Sequence, residues 1–195
     1  MDPIARVNKL FADSAEFNAG AAAGQATAIA RAAQCIVGSL LNGGKVLCCG
    51  NGASAADSQY LALALQHRFE RERPGLPALV LNADAAILSA IAASSGFDAV
   101  YATQVGVLGH PGDVLVVLHA RGMANSLGQA ATAARDRQLQ VIALTGLDSE
   151  ALTATLRDND IEIRAPTTQA ARILENHRLV IHCLCDLIDL QLMGG

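Results

Sequence analysis

The nonapeptide Cys49-Gly50-Asn51-Gly52-Ala53-Ser54-Ala55-Ala56-Asp57 sets the architecture of this chain. It follows an apolar run at residues 45–49, which is typical of a buried strand, and it opens a helical pattern that extends to about residue 67. Its two glycines allow a tight backbone turn, and Ser54 stands where a helix N-cap is expected. A strand, a glycine turn and a helix start together form a cradle for a phosphate group. A plain strand-to-helix connection with an N-cap serine fits the spacing equally well, so both interpretations stay open.

From Lys45 onward, short apolar runs alternate with longer helical patterns, and this alternation predicts a parallel α/β sheet with helices on both faces. The expected strands are residues 45–49, 77–81, 113–118, 140–145 and 160–163. The expected helices are residues 54–67, 84–108 with a break near Gly96, 124–138, 148–157 and 168–192. No linker divides the chain, so residues 1–195 are expected to form one domain. Ligands of such sheets bind at the carboxyl ends of the strands, which places the turns at 50–54, 82–84 and 119–124 around one cleft.

The N-terminal 44 residues have helical patterns of their own. Apolar side chains recur at spacings of three and four in residues 3–18 and again in residues 22–42, and Asn42-Gly43-Gly44 supplies a C-cap signal. Two helices are therefore expected before the first strand. The first has little apolar sequence around it to bury its stripe, so we expect it to pack on a neighbouring chain. Packing on its own domain is nearly as well supported.

The composition excludes several classes of function. Hydrophobic residues make up 52% of the 195 positions and aromatic residues only 3%, which predicts close helix packing and apolar surface shared between subunits. The net charge of −4, without a cluster of Lys or Arg, argues against direct binding of nucleic acid. No apolar run reaches membrane length, and the N-terminus does not resemble a signal peptide. The five cysteines lie in apolar contexts, as reduced thiols of a cytoplasmic protein do.

Polar side chains at the ends of the second and third strands are further candidates for the cleft. Asp84 could accept hydrogen bonds from sugar hydroxyls, although capping the following helix is the usual role of an aspartate in that position. His119 and Arg121 could supply positive charge to an anion, whereas a solvated Arg121, or one paired with a carboxylate, is slightly favoured. The candidate ligand-binding residues are Asn51, Gly52, Ser54, Asp84, His119 and Arg121.

Five segments of the chain resemble the phosphoheptose isomerase family of sugar isomerase (SIS) domains. They are Cys49–Asp57, Arg68–Pro77, Gly112–Leu115, Val141–Gly146 and Cys183–Asp189. The resemblance extends over nearly the whole chain. It implies a flavodoxin-like five-stranded parallel sheet and a homotetramer assembled through the N- and C-terminal helices, with residues 1–44 as the N-terminal oligomerisation segment.

The resemblance also implies where a catalytic site would lie. In that family, a His and a Glu on the helix after the first turn, with a Gln and a His on the last helix, hold zinc and move protons on sedoheptulose 7-phosphate. The matching positions here are Tyr60, Ala64, Leu174 and His182, and only His182 keeps the family residue. Alanine cannot transfer a proton, and zinc sites use three or four protein ligands. The resemblance therefore implies no catalytic residue, no metal and no other cofactor. A single His on an apolar helix is more often a satisfied core or interface residue.

The loop after the third strand departs from the family as well. The family has Ser-Thr-Ser-Gly-Asn-Ser at this point, where the chain has residues 119–124, His-Ala-Arg-Gly-Met-Ala. Four hydroxyl donors to phosphate are thus absent, while Ser54 on the first turn remains. Isomerase activity by the family mechanism is therefore not expected.

Within the family, the chain is similar in character to the DnaA initiator-associating branch, the DiaA-like proteins, which share the fold but act by binding the replication initiator DnaA. That branch also lacks the Glu, has an Arg at the position of Arg121, and ends its last helix in an apolar pair that contacts DnaA. The matching pair here is Leu192 and Met193, in which the Leu is kept and the Phe replaced. The resemblance implies a non-catalytic protein of the carbohydrate-derivative-binding type that binds DnaA in the initiation of DNA replication.

Two alternative functions stay open. One is a phosphoheptose isomerase that converts sedoheptulose 7-phosphate to D-glycero-D-manno-heptose 7-phosphate, against which Tyr60, Ala64 and Leu174 argue. The other is a sensor whose cleft binds a sugar phosphate through Ser54, His119 and Arg121.

Overall fold

Five parallel strands form one sheet in the computed structural model, which describes residues 2–194. They are β1 (Val46–Gly50), β2 (Ala78–Val80), β3 (Val114–Leu118), β4 (Gln140–Thr145) and β5 (Ile161–Arg164). All five lie where the apolar runs predicted them. Their spatial order, β2-β1-β3-β4-β5, is that of flavodoxin-like folds, so the expected fold class is confirmed. The topological switch point lies between β1 and β3, which end side by side with Gly50 in register with Leu118.

Helices occupy the segments between the strands. Within residues 2–194 they are α1 (Pro3–Leu41), α2 (Ala53–Gln66), α3 (Ala85–Ser95), α4 (Val100–Leu108), α5 (Asn125–Asp136), α6 (Glu150–Thr153) and α7 (Ala170–Met193). The expected break near Gly96 is confirmed, because a short 3-10 turn at Phe97–Ala99 joins α3 to α4 there. The helix expected over residues 148–157 is only four residues long.

The two faces of the sheet bury separate apolar layers. In β1, Val46 and Cys48 belong to the layer formed with α1, α2 and α7, whereas Leu47 and Cys49 belong to the layer formed with α4 and α5. Alternate side chains of a strand point to opposite faces, so a strand covered on both faces is a continuous apolar run. Because the strands are buried on both faces, the apolar runs in the sequence predicted their positions correctly.

The N-terminal segment is one continuous helix, so the prediction of two helices at residues 3–18 and 22–42 is wrong. Glycine inside a helix costs only about 1 kcal/mol relative to alanine, and alanine-rich sequence surrounds Gly20 and Gly24 without a proline. Asp2 caps the first turn by accepting hydrogen bonds from the backbone of Ile4 and Ala5. No described residue of α1 before Ala21 is buried. The first half of α1 is therefore an exposed helix that contributes little to the core.

The loop between α2 and β2 is fixed by a buried arginine. Its alternating charges, at residues 68–74, are the pattern of a solvated helix end, but the Arg73 side chain is 0% exposed. It donates to Asp189 of α7 at 2.5 Å and to the carbonyl oxygens of Leu65 and Ala64. The loop is thereby tied both to the end of α2 and to the last turns of α7.

The five cysteines are free thiols, and three of them, Cys48, Cys49 and Cys185, are buried. Burial raises the pKa of each of these three thiols, so they stay protonated and unreactive. In the part of the chain from residue 2 to residue 194, we find no helix with the length and apolar character needed to span a membrane.

Candidate functional site

A cleft of about 530 Å³ lies at the carboxyl ends of β1 and β3, at the switch point of the sheet. Four of the six candidate ligand-binding residues line it: Asn51, Gly52, Ser54 and Arg121. The other lining residues are Ala53, Phe97, Asp98, Ala120, Gly122, Met123, Ser126, Ala170 and Leu174. The turns after β1 and β3 therefore meet at one site, as the alternation of strands and helices led us to expect. The segment at residues 82–84, which was expected at the same cleft, does not line it.

The first turn differs from the prediction in its helix cap. Gly52, not Ser54, is the N-cap of α2, with φ of 57° and ψ of −126°, a conformation that side-chain-bearing residues rarely adopt. Glycine has no side chain to cap the helix, and the backbone N–H groups of Ser54 and Ala55 donate to the carbonyl oxygens of Asn51 and Gly52 at 3.1 Å each. Ser54 lies two residues further on, within the same first turn; it is only 2% exposed, and its hydroxyl makes no hydrogen bond to another residue of the described range. Its hydroxyl lines the cleft as an unused donor.

Tyr101 of α4, which sequence reasoning missed, holds the first turn in place. Its hydroxyl donates to the Gly50 carbonyl at 2.8 Å and to Asn51 Oδ1 at 3.0 Å. Asn51 Nδ2 in turn donates to the hydroxyl of Ser126 on α5 at 3.0 Å, which joins the two turns. Burial raises the pKa of Tyr101, so its hydroxyl stays a donor. In the sequence, the indication of this role was a tyrosine, whose hydroxyl needs a hydrogen-bond partner when buried, in a mostly apolar helix.

The second turn presents Arg121 to the cleft. Arg121 is exposed, lines the cavity and forms no ion pair with a carboxylate anywhere between residues 2 and 194. Gly122 follows with φ of 91°, and α5 begins at Asn125 without a side-chain cap on its first turn. A free guanidinium and a second uncapped helix start thus face the first turn across the cavity.

Two candidate residues lie outside the cavity. His119 is buried, and burial lowers its pKa, so it is a neutral side chain below the cleft and not a cation within it. The positive charge expected of His119 is therefore not supplied. Asp84 caps α3, because its Oδ1 accepts hydrogen bonds from the backbone N–H groups of Ala86 and Ile87. Capping was the usual role expected at that position.

The positions that match the family's catalytic residues have different surroundings. Tyr60 and His182 are in contact, with the Tyr60 hydroxyl hydrogen-bonded to His182 Nε2 at 3.2 Å. Leu174 lines the cleft two helical turns away from His182. Ala64 is buried in the core, and its carbonyl accepts a hydrogen bond from Arg73.

An aromatic and cationic cluster surrounds the Tyr60–His182 contact. Arg178 lies 3.9 Å above the centre of the Tyr60 ring and donates to Asp57 Oδ1 at 2.6 Å. The ring of Phe69 lies 5.4 Å from that of His182. Burial raises the pKa of Asp57, although the charge and hydrogen bond of Arg178 oppose this shift. A fixed positive charge thus stands beside Tyr60.

These residues do not fit a zinc ion of the kind that the family resemblance implies. His182 is the one imidazole among the four matching positions, and its Nε2 is engaged by Tyr60. The described part of the chain contains no group of three or more His, Cys, Asp or Glu side chains that could hold a metal. The adjacent Arg178 would also repel a divalent cation.

The C-terminal apolar pair is only partly exposed. Met193 is 49% exposed at the end of α7, whereas Leu192 is half-buried against the core layer of α1, α2 and α7. Arg71 donates to the carbonyl of Gly194 at 2.9 Å, which fastens the last turn to the loop after α2. The large apolar side chains that the last turns of α7 leave exposed are thus Met193 and Leu190, which is 42% exposed.

Comparison with known protein families agrees with the fold. Residues 10–146 match the family model described as the SIS domain. The chain belongs to the SIS domain family. It is 48% identical over 184 residues to the DnaA initiator-associating protein DiaA of Klebsiella pneumoniae, and the match covers 94% of both chains. The expected family and its similarity to DiaA are thereby confirmed.

Solved structures of this SIS domain fold extend the comparison. The chain resembles a phosphoheptose isomerase from Francisella tularensis with a TM-score of 0.91 and 41% identity, over 97% of this chain and 99% of the other. A phosphoheptose isomerase from Neisseria gonorrhoeae gives a TM-score of 0.89 and 39% identity, over 96% and 99%. The backbone framework is thus shared with isomerases, while the side chains at Tyr60, Ala64 and Leu174 are not those of the family's catalytic pattern.

Proposed function

We propose that this protein binds the replication initiator DnaA and regulates the initiation of DNA replication in the cytoplasm, without catalysing a reaction. The similarity to DiaA over 94% of both chains is the observation that supports this function most directly. The chemistry of the family's catalytic positions supports it as well. A buried alanine and a leucine replace the groups that could transfer a proton or hold a metal.

The end of α7 supplies the docking surface in this proposal. Met193 is an exposed, flexible and polarisable side chain, which suits contact with an apolar patch on a partner. Leu192 packs on the core and fixes the direction in which Met193 points. A homotetramer would present several copies of this surface, and linked copies bind a multi-site partner far more tightly than one copy does.

We assign self-assembly to the N-terminal half of α1. Ile4, Val7 and Phe11 form an exposed apolar stripe on it, and Phe11 is 76% exposed. An apolar groove of about 310 Å³ between α1 and α7 offers a complementary surface, with Ile29 and Leu187 among its lining residues. A second copy of the chain is the proposed occupant of both, which would bury the stripe and the groove together.

Self-assembly is tested by the molar mass in solution. Replacement of Ile4, Val7 and Phe11 by serine is expected to convert the assembly to smaller species in size-exclusion chromatography with light scattering. Val107, an exposed apolar residue of α4, is the matched control, because Val107→Ser should leave the mass unchanged. A parent protein of monomeric mass would refute the proposed assembly.

DnaA binding is tested with purified proteins by surface plasmon resonance. The parent is expected to bind DnaA, and a chain truncated before Leu192 and the variant Met193→Ser are both expected to bind it weakly. Val107→Ser again serves as the control. If the parent shows no binding, the function fails; if the truncated chain binds as tightly as the parent, the docking surface lies elsewhere.

The isomerase alternative is tested by turnover of sedoheptulose 7-phosphate with added zinc. We expect none above background, because loss of a positioned acid–base pair removes about 10²–10⁴-fold at each step that needs it. Turnover at rates usual for enzymes would contradict the proposed function.

A further inference from the structure

Three side-chain amides form a hydrogen-bonded network between α1 and α7. Asn176 of α7 is 2% exposed and bonds to both Asn18 and Gln25, which are seven residues, or about two turns, apart on α1. A side chain seated between residues of a facing helix in this way is the packing geometry of a coiled coil. Gln25 is also buried, whereas Asn18 is half-buried. The network thus lies where the exposed N-terminal half of α1 joins the part that is packed in the core.

The amides of Gln25 and Asn176, which we call the amide pair, satisfy each other. Gln25 Nε2 donates to Asn176 Oδ1 at 2.7 Å, and Asn176 Nδ2 donates to Gln25 Oε1 at 3.1 Å. Their second N–H groups bond outward, that of Gln25 to the Arg164 carbonyl at the end of β5 and that of Asn176 to Asn18 Oδ1. A side-chain amide has two N–H donors, so all four donors of the pair are used. A fully satisfied buried network of this kind is rigid and directional.

The apolar contacts around the amide pair do not define one orientation of α1. Ala21 is buried on the face of α1 that carries the amides, and Ala22 and Ala26 line the groove beside it. Alanine side chains are short, and loosely fitted apolar contacts lose a unique arrangement before they lose stability. A tilt or rotation of α1 that separates Gln25 from Asn176 would instead leave buried amides without partners, which is disfavoured. The amide pair therefore holds the orientation of α1 at this point.

The orientation of α1 at the network sets the direction of its exposed half. On the N-terminal side, the Ser14 hydroxyl donates to Glu175 at 2.6 Å, and Phe17 packs in the small cluster that includes Leu174. The exposed apolar stripe of α1 extends to about 20 Å beyond the network, at about 1.5 Å per residue, so a tilt of about 10° moves its end by about 4 Å. A displacement of that size is enough to separate two apolar side chains in contact.

We propose that Gln25 and Asn176 determine the geometry of self-assembly. By fixing the tilt and rotation of α1, they let its exposed apolar stripe meet a second copy of the chain in one arrangement only. They act as positioning residues within one chain. A polar group in an apolar helix contact that selects one arrangement, at a cost in stability, is well attested in coiled coils. This inference rests on the proposed self-assembly through α1 and is independent of DnaA binding.

Native mass spectrometry of the full chain tests the proposal with the double variant Gln25→Met/Asn176→Leu, whose side chains have similar sizes and no amide. The parent is expected to form one oligomeric species, and the double variant two or more. Asn176→Leu alone leaves the Gln25 amide without its partner and should lower the Tm by at least about 3 °C. The double variant should melt no lower than Asn176→Leu, since neither amide of the pair then remains buried and unpaired.

Two further variants make the outcome decisive. Asn176→Ala, too short to reach Gln25 and too small to clash, should also give more than one species. Gln129→Leu, at an exposed glutamine of α5, is the matched control and should give the parent's single species. A monomeric parent would refute the self-assembly on which this inference rests. If the parent is oligomeric, and both the double variant and Asn176→Ala form its single species, the amide pair stabilises the fold without selecting an arrangement, and the proposal fails while self-assembly stands.

Discussion

The Tyr60 hydroxyl and Nε2 of His182 lie 3.2 Å apart, and their hydrogen bond joins α2 to α7 at two positions where phosphoheptose isomerases are expected to hold zinc. Arg178 reinforces the same junction by stacking on the Tyr60 ring and pairing with Asp57. A hydrogen bond, a cation–π contact and an ion pair thus connect the helices at this junction, where His182 is the one residue that keeps the family identity.

Zinc should therefore leave the stability of the parent unchanged. Neither added zinc nor EDTA is expected to shift the melting temperature in differential scanning fluorimetry, since the four positions offer one imidazole and no second ligand. The variant Tyr60→His/Ala64→Glu/Leu174→Gln should instead melt at a higher temperature with zinc, because a ligand that binds the folded state stabilises it. Ala64→Glu alone is the control. One tightly bound zinc per parent chain would contradict this prediction.

The buried pair of Arg73 and Asp189 should be costly to break. Arg73→Met leaves the Asp189 carboxylate buried without its partner, and the free energy of unfolding in urea should fall by about 3–5 kcal/mol. Asp189 Oδ2 already has no hydrogen-bond partner within the described residues. The double variant Arg73→Met/Asp189→Leu should therefore recover most of the loss.

The exposed pair of Arg68 and Glu72 provides the control for this experiment. Glu72 is highly exposed, so Arg68→Ala should change the free energy of unfolding by no more than about 1 kcal/mol. If Arg73→Met were equally mild, the buried pair would have no special role in fixing the loop after α2.

His177 should make the protein lose stability in mild acid. Burial lowers its pKa to about 4, and Nε2 contacts the Thr145 carbonyl at 3.1 Å. The unfolded chain, with a histidine pKa near about 6.5, binds a proton between these values while the folded chain does not. The neutral, buried His177 therefore makes its full contribution to the free energy of unfolding above about pH 6.5. This contribution falls by about 3 kcal/mol as the pH drops to about 4.

Urea titrations of the parent and His177→Gln between pH 4 and pH 7 would measure this effect. The difference in unfolding free energy between them should change by about 3 kcal/mol over that range, because glutamine does not titrate. His67→Gln, at an exposed histidine, is the matched control. A pH-independent difference between the parent and His177→Gln would show that His177 is not buried in neutral form.

Two glycine-to-alanine changes should have opposite effects on thermal stability. A Cβ at Gly50 would lie 2.5 Å from the Ser54 carbonyl oxygen and 3.1 Å from that of Leu118, both backbone atoms. Gly50→Ala should cost about 1–3 kcal/mol. A Cβ at Gly38 in α1 meets no atom within 4 Å, so Gly38→Ala should stabilise by up to about 1 kcal/mol. Stabilisation by Gly50→Ala would mean that the first turn is looser than the structure indicates.

Sequence reasoning located the elements that depend on local pattern. The strands were found because burial on both faces makes them continuous apolar runs, and the turns of the cleft because glycine is required at tight bends. The continuity of α1 was missed because the recurring apolar spacing is interrupted between residues 18 and 22, where small residues continue the helix without it. The N-cap of α2 was assigned to Ser54 because serine is a preferred N-cap residue. The helix begins earlier, and its N-cap is Gly52.

The features missed in the site depend on distant parts of the chain. Tyr101 is hydrogen-bonded to Gly50, from which it is 51 residues away in the sequence. Arg73 is hydrogen-bonded to Asp189, which is 116 residues away. No local spacing indicates such pairings. His119 follows β3 directly, yet its side chain turns into the protein interior, which a one-dimensional pattern does not specify. The turns that line the cleft were thus predictable, and the long-range contacts that hold them were not.

If the long N-terminal helix assembles with a second copy, as proposed above, its order depends on the protein concentration. With 39 residues it spans about 58 Å, and its first eighteen residues extend for about 27 Å of that length. The turns before Ser14 make few contacts with the rest of the chain, so a neighbouring copy would help to keep them wound. On dilution they should fray, and the circular dichroism signal at 222 nm should decline before the rest of the molecule melts. Proteases would then find their first cleavage sites there, which would make cellular abundance a determinant of the protein's lifetime.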